Sequence, residues 1–327
     1  MSHLTDDLAR LAASPTNDVL TVDLPLPGKQ QGKVRDIWLV GDRRIIVTTD
    51  RQSAFDRVVG TVPYKGQVLT RLAQWWFERT ADIVPNHVIS VPDPNVIVAR
   101  NARVWPVEMV IRGYITGVTK TALWHNYAQG KRRLYGIDFP DGLRKNERLP
   151  EPVLTPTTKA ASGAHDEMLT RDEILAADLV PADVYARMED VTRRLFARGQ
   201  AMAAERGLIL VDTKYEFGDV DGQLTLIDEV HTVDSSRFWM LDSYAGRFAA
   251  GDEPETFDKE FLRRWYVDEA GYRGDGDPPP LPRALAERMS RLYIEAFERL
   301  TGEAFVPDTA DPAERMGLNL RVAGVLG

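Results

Sequence analysis

The chain has 327 residues, of which 43% are hydrophobic and 28% charged, a composition that supports a buried core and excludes a disordered protein. Its 41 Lys and Arg residues against 49 Asp and Glu residues give a net charge of −8, which argues against a general nucleic-acid binder. The absence of Cys excludes disulfides, thiolate metal sites and a Cys nucleophile. The length predicts about two domains.

The sequence predicts neither membrane insertion nor export. No uninterrupted apolar run approaches the roughly 18 residues that a spanning helix needs. Asp6 and Asp7 lie where a signal peptide would be basic and then apolar. We therefore expect a soluble cytoplasmic protein that binds neither membranes nor nucleic acid, and the sequence leaves open whether it is a monomer or a homo-oligomer.

The N-terminal third is predicted to be mostly β-sheet. Two short apolar, β-rich runs at 36–40 and 44–49 are separated by a Gly-Asp pair, which predicts a hairpin. Two further runs, at 96–100 and 103–112, are rich in Val and Ile and predict two more strands.

Three helices are predicted in the first two thirds of the chain. Apolar residues recur at three- and four-residue spacing over 68–76, which indicates the first helix. Thr170 and Glu173 form a capping-box pattern at the start of the second. The third carries an apolar face over 184–195 and is predicted to end at Gly207.

The remainder of the chain is predicted to be a second hairpin followed by helices. The hairpin strands cover 208–213 and 223–230, and its turn covers 218–222. Apolar faces over 257–265 and 285–300 predict two helices. The order of strands, then mixed elements, then helices is typical of an α+β fold with two lobes.

We place the lobe boundary after residue 112. The first lobe, 1–112, is predicted to be β-rich, and the second, 113–327, to be mixed α+β and completed by the C-terminal helices. The Pro- and Gly-rich segment 274–282 suits neither a helix nor a central strand and is predicted to be a surface loop.

A Gly- and Lys-rich segment at 28–36, here called the phosphate loop, leads into the first long strand. Its glycines let a backbone approach a phosphate closely, and its cations neutralise one. It is not a P-loop, because no Ser or Thr follows the Gly-Lys pairs and no helix follows the loop. A solvated basic turn is the alternative.

Two segments at strand ends are candidate sites. The polar run 49–56 contains Ser53 and Asp56, and it is predicted to be a loop in which these residues either contact a ligand or serve as turn and cap residues. The apolar strand in 106–117 ends in Arg112, whose planar donor fork suits a phosphate or carboxylate. A solvated edge-strand Arg is the alternative there.

The strand over 210–218 is the most informative segment. Because side chains alternate along a strand, Asp212, Lys214 and Glu216 lie on one face, and three charges do not enter an apolar core. Asp228 and Glu229 lie across the predicted turn. Carboxylates from two strands with a Lys among them are suited to Mg²⁺ and nucleotide phosphates, and a solvated, salt-bridged hairpin is the alternative.

Two polar loops complete the candidates. The first, 155–167, contains His, Asp and Glu in sequence, but adjacent residues on an extended chain point apart, so a phosphate-reaching Lys159 is favoured over zinc. The second, 231–239, places small hydroxyls and Arg237 directly after the carboxylate hairpin, which suits a phosphorylated ligand. A helix N-cap at Asp234 or Ser235 is the alternative.

Taken together and in order along the chain, these segments resemble the SAICAR synthetase family (phosphoribosylaminoimidazole-succinocarboxamide synthases) of purine biosynthesis. The resemblance runs from about residue 28 to 270. It is carried by five segments, namely Gly32–Asp36, Pro106–Gly117, Leu210–Gly218, Asp228–Trp239 and residues 258–262.

The resemblance implies an ATP- and Mg²⁺-dependent ligase that joins L-aspartate to the carboxylate of carboxyaminoimidazole ribonucleotide, through phosphorylation of that carboxylate and attack by the amine. It also implies the two-lobed fold of this family, which is distantly kinase-like and ATP-grasp-like. Another ATP-dependent carboxylate–amine ligase, a small-molecule kinase on the same fold, or a non-catalytic nucleotide-binding protein are the alternatives.

The resemblance also implies roles for individual residues. Those expected to bind the nucleotide are Gly32, Lys33, Val34, Arg35, Glu108, Val110, Lys159, Lys214, Glu216 and Asp228, with Glu216 and Asp228 as the metal ligands. Those expected to bind the other substrates are Ser53, Asp56, Arg112, Asp234, Ser235, Ser236 and Arg237. The expected catalytic residues are Lys159, Asp166 and Lys214.

One departure from the family pattern concerns the ribonucleotide phosphate. The family's first signature usually ends Gly-Ser, whereas here Gly117 is followed by Val118, which donates no hydrogen bond. Either Thr116 or Thr119 substitutes for that Ser, or the phosphate rests on the two arginines alone.

Overall fold

The computed structural model describes residues 18–55, 57–159, 167–257, 261–262, 265–274 and 276–326. Its strands are β1 Gln30–Gln31, β2 Arg35–Val40, β3 Arg43–Thr48, β4 Arg51–Ala54, β5 Arg57–Thr61, β6 Val88–Asp93, β7 Val96–Arg100, β8 Arg103–Ile115, β9 Arg133–Leu134, β10 Ile137–Asp138, β11 Glu147–Leu154, β12 Thr157–Thr158, β13 Leu208–Val220, β14 Gln223–Ile227 and β15 Ser236–Met240. Its longer helices are α1 Lys65–Thr80, α2 Leu123–Ala128, α3 Arg171–Ala176, α4 Ala182–Glu205, α5 Leu241–Ala250, α6 Arg283–Thr301 and α7 Pro312–Val322, and Trp265–Glu269 forms a π-helix.

The described residues fall into two compact units. Unit 1 comprises those of Met1–Trp75, His87–Asn101 and Asp258–Gly327, and unit 2 those of Trp76–Asn86 and Ala102–Phe257. This division differs from the predicted lobe boundary after residue 112, which falls inside β8. The C-terminal residues also belong to the unit that contains the N-terminal strands, because α7 packs into the core of their sheet.

Unit 1 is built on a five-stranded antiparallel sheet in the order β1-β2-β3-β7-β6. The predicted hairpin at 36–49 is confirmed, since Val40 pairs with Arg43 across its turn. Alternating residues of the central strands, including Trp38 and Ile45, form an apolar core with Met316 and Leu320 of α7. The predicted helix at 285–300 is confirmed as α6.

Two further expectations need correction, the second of them only in part. The run 49–56 was predicted to be a loop, but residues 51–54 form strand β4, which pairs with β5. Polar side chains are typical of an exposed loop, but most of those in this run are buried and have hydrogen-bond partners inside the unit. The predicted helix at 257–265 is confirmed only in part. Residues 261–262 are helical, the chain at Phe257 is not, and Trp265 begins the π-helix, whereas 258–260 and 263–264 lie outside the described residues.

Unit 2 is built on a six-stranded antiparallel sheet in the order β11-β8-β13-β14, with β12 also paired to β8 and β15 to β13. Helix α4 confirms the predicted third helix and ends just before Gly207. Gly199 lets α4 lie close to neighbouring groups, because an ideal Cβ there would be 2.4 Å from Cε1 of His231 and 2.7 Å from Cδ2 of Leu210. The capping box of Thr170 and Glu173 is confirmed at the start of α3.

The second hairpin is longer and tighter than predicted. Strand β13 continues to Val220, so the turn contains only Asp221 and Gly222, which have φ of 54° and 81°. Strand β14 ends at Ile227, so the predicted strand residues 228–230 lie outside it, and Asp228 has φ of 68°. Among the described residues, no helix is long and apolar enough to cross a membrane.

Candidate active site

Three carboxylates of unit 2 converge on the ammonium group of Lys214. Its Nζ lies 2.6 Å from Glu216 Oε1, 3.2 Å from Glu108 Oε1 and 3.2 Å from Asp228 Oδ2. Glu216 follows Lys214 by two residues on β13 and pairs with both Glu108 of β8 and Ile227 of β14. The alternation of strand side chains therefore brings these charges onto one face, as predicted.

Lys159 adds a second ammonium group. Its Nζ contacts Glu216, and its backbone N–H donates to the carbonyl of Pro106, which fixes the chain beside β8. Thr157, two residues earlier, pairs with Glu108 and donates to its second carboxylate oxygen over 3.4 Å. These five residues, Glu108, Lys159, Lys214, Glu216 and Asp228, are called the carboxylate–lysine cluster below.

The cluster keeps Lys214 positively charged. Burial by itself would lower the pKa of Lys214, but the charges of Glu216, Asp228 and Glu108 outweigh that effect and raise its pKa well above the ordinary value. Two ammonium groups against three carboxylates leave one net negative charge. The cluster is therefore suited to accept a further cation.

The carboxylates of this cluster suit a Mg²⁺ ion that is shared with a substrate, and not a metal ion bound by protein side chains alone. Within the described residues, no group of three or more His, Cys, Asp or Glu side chains could hold a metal ion alone. Glu216 and Asp228 nevertheless present oxygens to one shared cation. Mg²⁺ commonly takes one or two carboxylates and completes its shell with water and substrate phosphates, so a site shared with ATP fits this pair.

A second charged cluster lies across three neighbouring strands of the same sheet. Asp212 of β13 pairs in register with Arg112 of β8 and with Arg237 of β15. Its Oδ2 accepts from Nη1 of Arg112 over 3.1 Å and from Nη1 of Arg237 over 3.0 Å, and Arg112 Nε donates to Thr155 over 2.9 Å. One carboxylate against two guanidinium groups leaves a net positive charge, which suits a phosphate.

Hydroxyl groups lie beside this arginine pair. Ser236 Oγ is 2.8 Å from Thr213 Oγ1 and 3.4 Å from Ser235 Oγ, and the backbone N–H groups of Asp234 and Ser235 donate to Thr232. The N-cap alternative for Asp234 and Ser235 is wrong, because Ser236 begins strand β15 and not a helix. The strand forms because its residues complete the ladder of β13.

The departure from the family pattern at Val118 has a structural context. The hydroxyl of Thr116 donates to buried Asn146 over 2.6 Å, so it is already engaged. Gly117 has φ of 92°, and an ideal Cβ there would be 3.7 Å from both Nη atoms of Arg237 and 2.7 Å from the Ala122 Cβ. The chain at Gly117 therefore passes close to the guanidinium group of Arg237 without a side chain.

The phosphate loop lies in unit 1. The N–H of Gly32 donates to the carbonyl of Arg35 over 2.8 Å, which closes the loop tightly, and Lys33 is exposed. Ser53 lies on β4 in the same unit and is half-buried. Asp56 and Asp166 lie outside the described residues, so their predicted roles stay predictions.

Two buried polar groups were missed by the sequence reasoning. Arg51 of β4 is fully buried and bonded to the phosphate loop. His231, which follows Asp228 by three residues, is fully buried and lies 2.5 Å from the hydroxyl of Tyr215. The strand alternation around Tyr215 hints at burial, but no pattern in the sequence identifies its partner.

Comparison with known proteins gives a consistent family match. The sequence model of the SAICAR synthetase family matches residues 29–278. The phosphoribosylaminoimidazole-succinocarboxamide synthase of Legionella pneumophila strain Lens is 50% identical over 287 residues, covering 88% of this chain and 91% of that protein. A putative second such synthase of Mesorhizobium japonicum is 52% identical over 287 residues, covering 86% and 91%.

A solved structure agrees with these relatives. The SAICAR synthase of Saccharomyces cerevisiae complexed with SAICAR superposes with a TM-score of 0.75 at 31% sequence identity. The alignment covers 88% of this chain and 99% of the yeast chain. The resemblance seen in the sequence therefore extends to the fold.

Proposed function

This chain belongs to the SAICAR synthetase family, and from that premise we propose which of its residues carry out each part of the reaction. It catalyses the ATP-dependent formation of SAICAR in purine biosynthesis, in which L-aspartate is joined to the carboxylate of carboxyaminoimidazole ribonucleotide. The observation that carries the proposal is the convergence of Glu108, Glu216 and Asp228 on Lys214.

The proposed chemistry begins by activating the substrate carboxylate, which is a poor electrophile because it lacks a good leaving group. Its oxygen attacks the γ-phosphorus of ATP, the bond from that phosphorus to the β–γ bridging oxygen breaks, and ADP leaves. The aspartate amine then attacks the acyl carbon, the carbon–oxygen bond to phosphate breaks, and the nitrogen loses its proton to a base or to water. The protein must position three anionic ligands and offset their charge.

We assign charge neutralisation to the two lysines of the cluster. The pKa of Lys214 is held well above its ordinary value by its carboxylate neighbours, so this side chain stays protonated at neutral pH. It donates hydrogen bonds to phosphate oxygens and does not accept the aspartate proton. Lys159, which also contacts Glu216, has the same role. Asp166 is proposed to lie near the aspartate.

We assign the metal to Glu216 and Asp228. A bound Mg²⁺ would neutralise charge on the β- and γ-phosphates. The contacts of both carboxylates with Lys214 hold them at a common point, so that they need little rearrangement to share a second cation. In unit 1, the nucleotide phosphates would be covered by the phosphate-loop residues Gly32, Lys33, Val34 and Arg35.

The arginine pair is proposed to hold the ribonucleotide phosphate. Asp212 fixes Arg112 and Arg237 in adjacent register while leaving a net positive charge between them. Residues proposed to complete the substrate sites are Ser53, Asp56, Asp234, Ser235 and Ser236. The adenine is proposed to lie against Glu108 and Val110, although the Val110 carbonyl already accepts from the N–H of Thr155.

The cellular setting is also a proposal. We propose that the protein acts in the cytoplasm on small-molecule substrates and binds no nucleic acid, in keeping with its net charge of −8 and its lack of Cys. Nothing in the described residues favours the alternative of a small-molecule kinase. Release of ADP without aspartate would favour it.

The residue assignment is tested by steady-state turnover. Wild-type protein should release ADP only when ATP, Mg²⁺, aspartate and the carboxylated ribonucleotide are all present. Asp228→Asn should lower kcat by at least roughly 100-fold because it removes a ligand charge where phosphate charge develops. Asp221→Asn is the matched control, since Asp221 is an exposed Asp on the same hairpin with a similar positive φ. Equal activity of the two variants would contradict the metal assignment.

A further inference from the structure

The guanidinium group of Arg51 is fully buried in unit 1 and binds the backbone of the phosphate loop. Its side chain is 0% exposed. Its Nε donates to the carbonyl of Lys33 over 3.1 Å, and its Nη2 donates to the carbonyl of Gly32 over 2.9 Å. A single side chain thus holds two consecutive peptide groups of the loop.

The charge of Arg51 is balanced inside the unit. Its Nη2 also donates to Asp36 Oδ1 over 2.7 Å, its Nη1 donates to the carbonyl of Leu20 over 2.6 Å, and Asp36 is itself fully buried. Burial would raise the pKa of Asp36, but the charge and hydrogen bonds of Arg51, with help from Val22 and Lys29, outweigh it, so the pKa is lowered. The pair is therefore ionised at neutral pH.

The direction of these hydrogen bonds determines where the loop amides point. In a planar trans peptide, the C=O of one residue and the N–H of the next point in opposite directions, and the described residues contain no cis peptide bond. Because the carbonyls of Gly32 and Lys33 are turned toward Arg51, the N–H groups of Lys33 and Val34 are turned away from it. Thr49 holds the next carbonyl, that of Val34, through its N–H and its hydroxyl over 3.0 and 2.8 Å.

The orientation of these peptide groups gives a reason for burying an arginine at this position. A buried guanidinium is costly to desolvate, and a carboxylate partner alone rarely compensates for it. Its planar fork, however, orders several acceptors at fixed angles, which the point charge of a lysine does not. Of the four described hydrogen bonds of the Arg51 guanidinium group, three go to backbone carbonyls, and two of these carbonyls belong to the phosphate loop.

We propose that Arg51 is a positioning residue for ATP: it orients the peptides at 32–34 so that the N–H groups of Lys33 and Val34 face the nucleotide phosphates. This inference rests on the proposed function of the phosphate loop. Arg51 touches no substrate and acts through the loop backbone.

The test compares Arg51→Lys with Arg315→Lys. Both changes keep a positive charge, and both remove a buried guanidinium fork from unit 1. Arg315, however, pairs with Asp93 and Asn95 and not with the phosphate loop. We expect Arg51→Lys to raise the KM for ATP about tenfold, with the KM values for aspartate and ribonucleotide unchanged, whereas Arg315→Lys should leave the KM for ATP unchanged. A loss of thermal stability alone, equal in both variants, would overturn the proposal.

Lys33→Ala separates failure of this inference from failure of the proposed function. If Lys33→Ala raises the KM for ATP and Arg51→Lys does not, the loop binds ATP and only the role of Arg51 is wrong. If neither variant changes it, neither the Lys33 side chain nor the Arg51 guanidinium contributes to ATP binding, and both this inference and the proposed role of Lys33 are wrong.

Hydrogen exchange of the unaltered protein gives a second test that does not depend on a variant folding. Addition of the ATP analogue AMP-PNP with Mg²⁺ should slow amide exchange at Lys33 and Val34 at least fivefold. Unchanged exchange at these two amides would also overturn the proposal.

Discussion

Replacing His231 with Asn should make the folding stability of this protein less sensitive to acid. His231 is fully buried in unit 2, with its ring 4.5 Å from that of Trp76 and its Nε2 2.5 Å from the hydroxyl of Tyr215. Its Nδ1 has no hydrogen-bond partner in the described part of the chain. Burial lowers the pKa of His231 from 6.5 to about 3, so the folded protein holds a neutral imidazole.

The direction and size of the stability change with pH follow from proton linkage. Because the folded-state pKa lies below the unfolded value, the stability that neutral His231 contributes is fully present above about pH 6.5 and is lost as the pH falls toward 3. A pKa difference of this size removes about 2.5 kcal/mol of the free energy of unfolding between pH 7 and pH 4.5. Asn does not titrate and tolerates the positive φ of 48° at this position, so His231→Asn should lack this loss.

Urea unfolding at pH 7, 6, 5 and 4.5 measures the effect as a difference between variants. Tyr215→Phe is the matched control, because it removes the same hydrogen bond but keeps the imidazole. Burial raises the pKa of Asp50 to about 6, so that carboxyl group contributes in the opposite direction, but it is present in every variant and cancels. Wild type and Tyr215→Phe should lose stability with acid in parallel. If His231→Asn shows the same slope as the wild type, the reasoning is refuted.

Three further substitutions test interactions within unit 1 and within unit 2, and urea or thermal unfolding measures their effect. Arg315→Met should lower the free energy of unfolding by about 3 kcal/mol because it leaves the buried carboxylate of Asp93 without its guanidinium partner, and a double variant with Asp93→Asn should recover part of that loss. Gly66→Ala should cost about 2 kcal/mol because an ideal Cβ would lie 2.3 Å from the Thr48 carbonyl oxygen, and an unchanged melting temperature would contradict that contact. Thr170→Ala should cost about 1 kcal/mol through loss of the capping box, and Thr170→Ser should restore most of it.

Local signals in the sequence predicted much of the secondary structure. The turn pair before Arg43, the apolar period of α1 and the capping box of α3 each depend on residues a few positions apart, and each is confirmed. Gly218 shows where local reading fails. It was predicted to lie in a turn, yet it lies inside β13, where an ideal Cβ would be 2.7 Å from the Cβ of Ala102. This glycine therefore permits β13 to lie close to the start of β8, and it does not reverse the chain.

The carboxylate–lysine cluster was predictable because strand alternation and hairpin pairing together bring Lys214, Glu216 and Asp228 to one place. The burial of Arg51 was not predictable, since a buried polar residue and a solvated one look alike in a sequence. The assignment of α7 to unit 1 depends on contacts between residues more than 200 positions apart, such as Arg315 with Asp93, which no local pattern specifies.

The most direct test of the central claim is to measure metal binding at Glu216 and Asp228 without turnover. Mn²⁺ in place of Mg²⁺ can be titrated in the presence of AMP-PNP, with free Mn²⁺ followed by electron paramagnetic resonance. Wild type and Asp221→Asn should bind the metal with equal affinity, and Glu216→Gln and Asp228→Asn should each weaken binding by roughly tenfold or more, in the range seen when metal-site groups are altered. Binding by Asp228→Asn that is as tight as binding by Asp221→Asn would contradict the account.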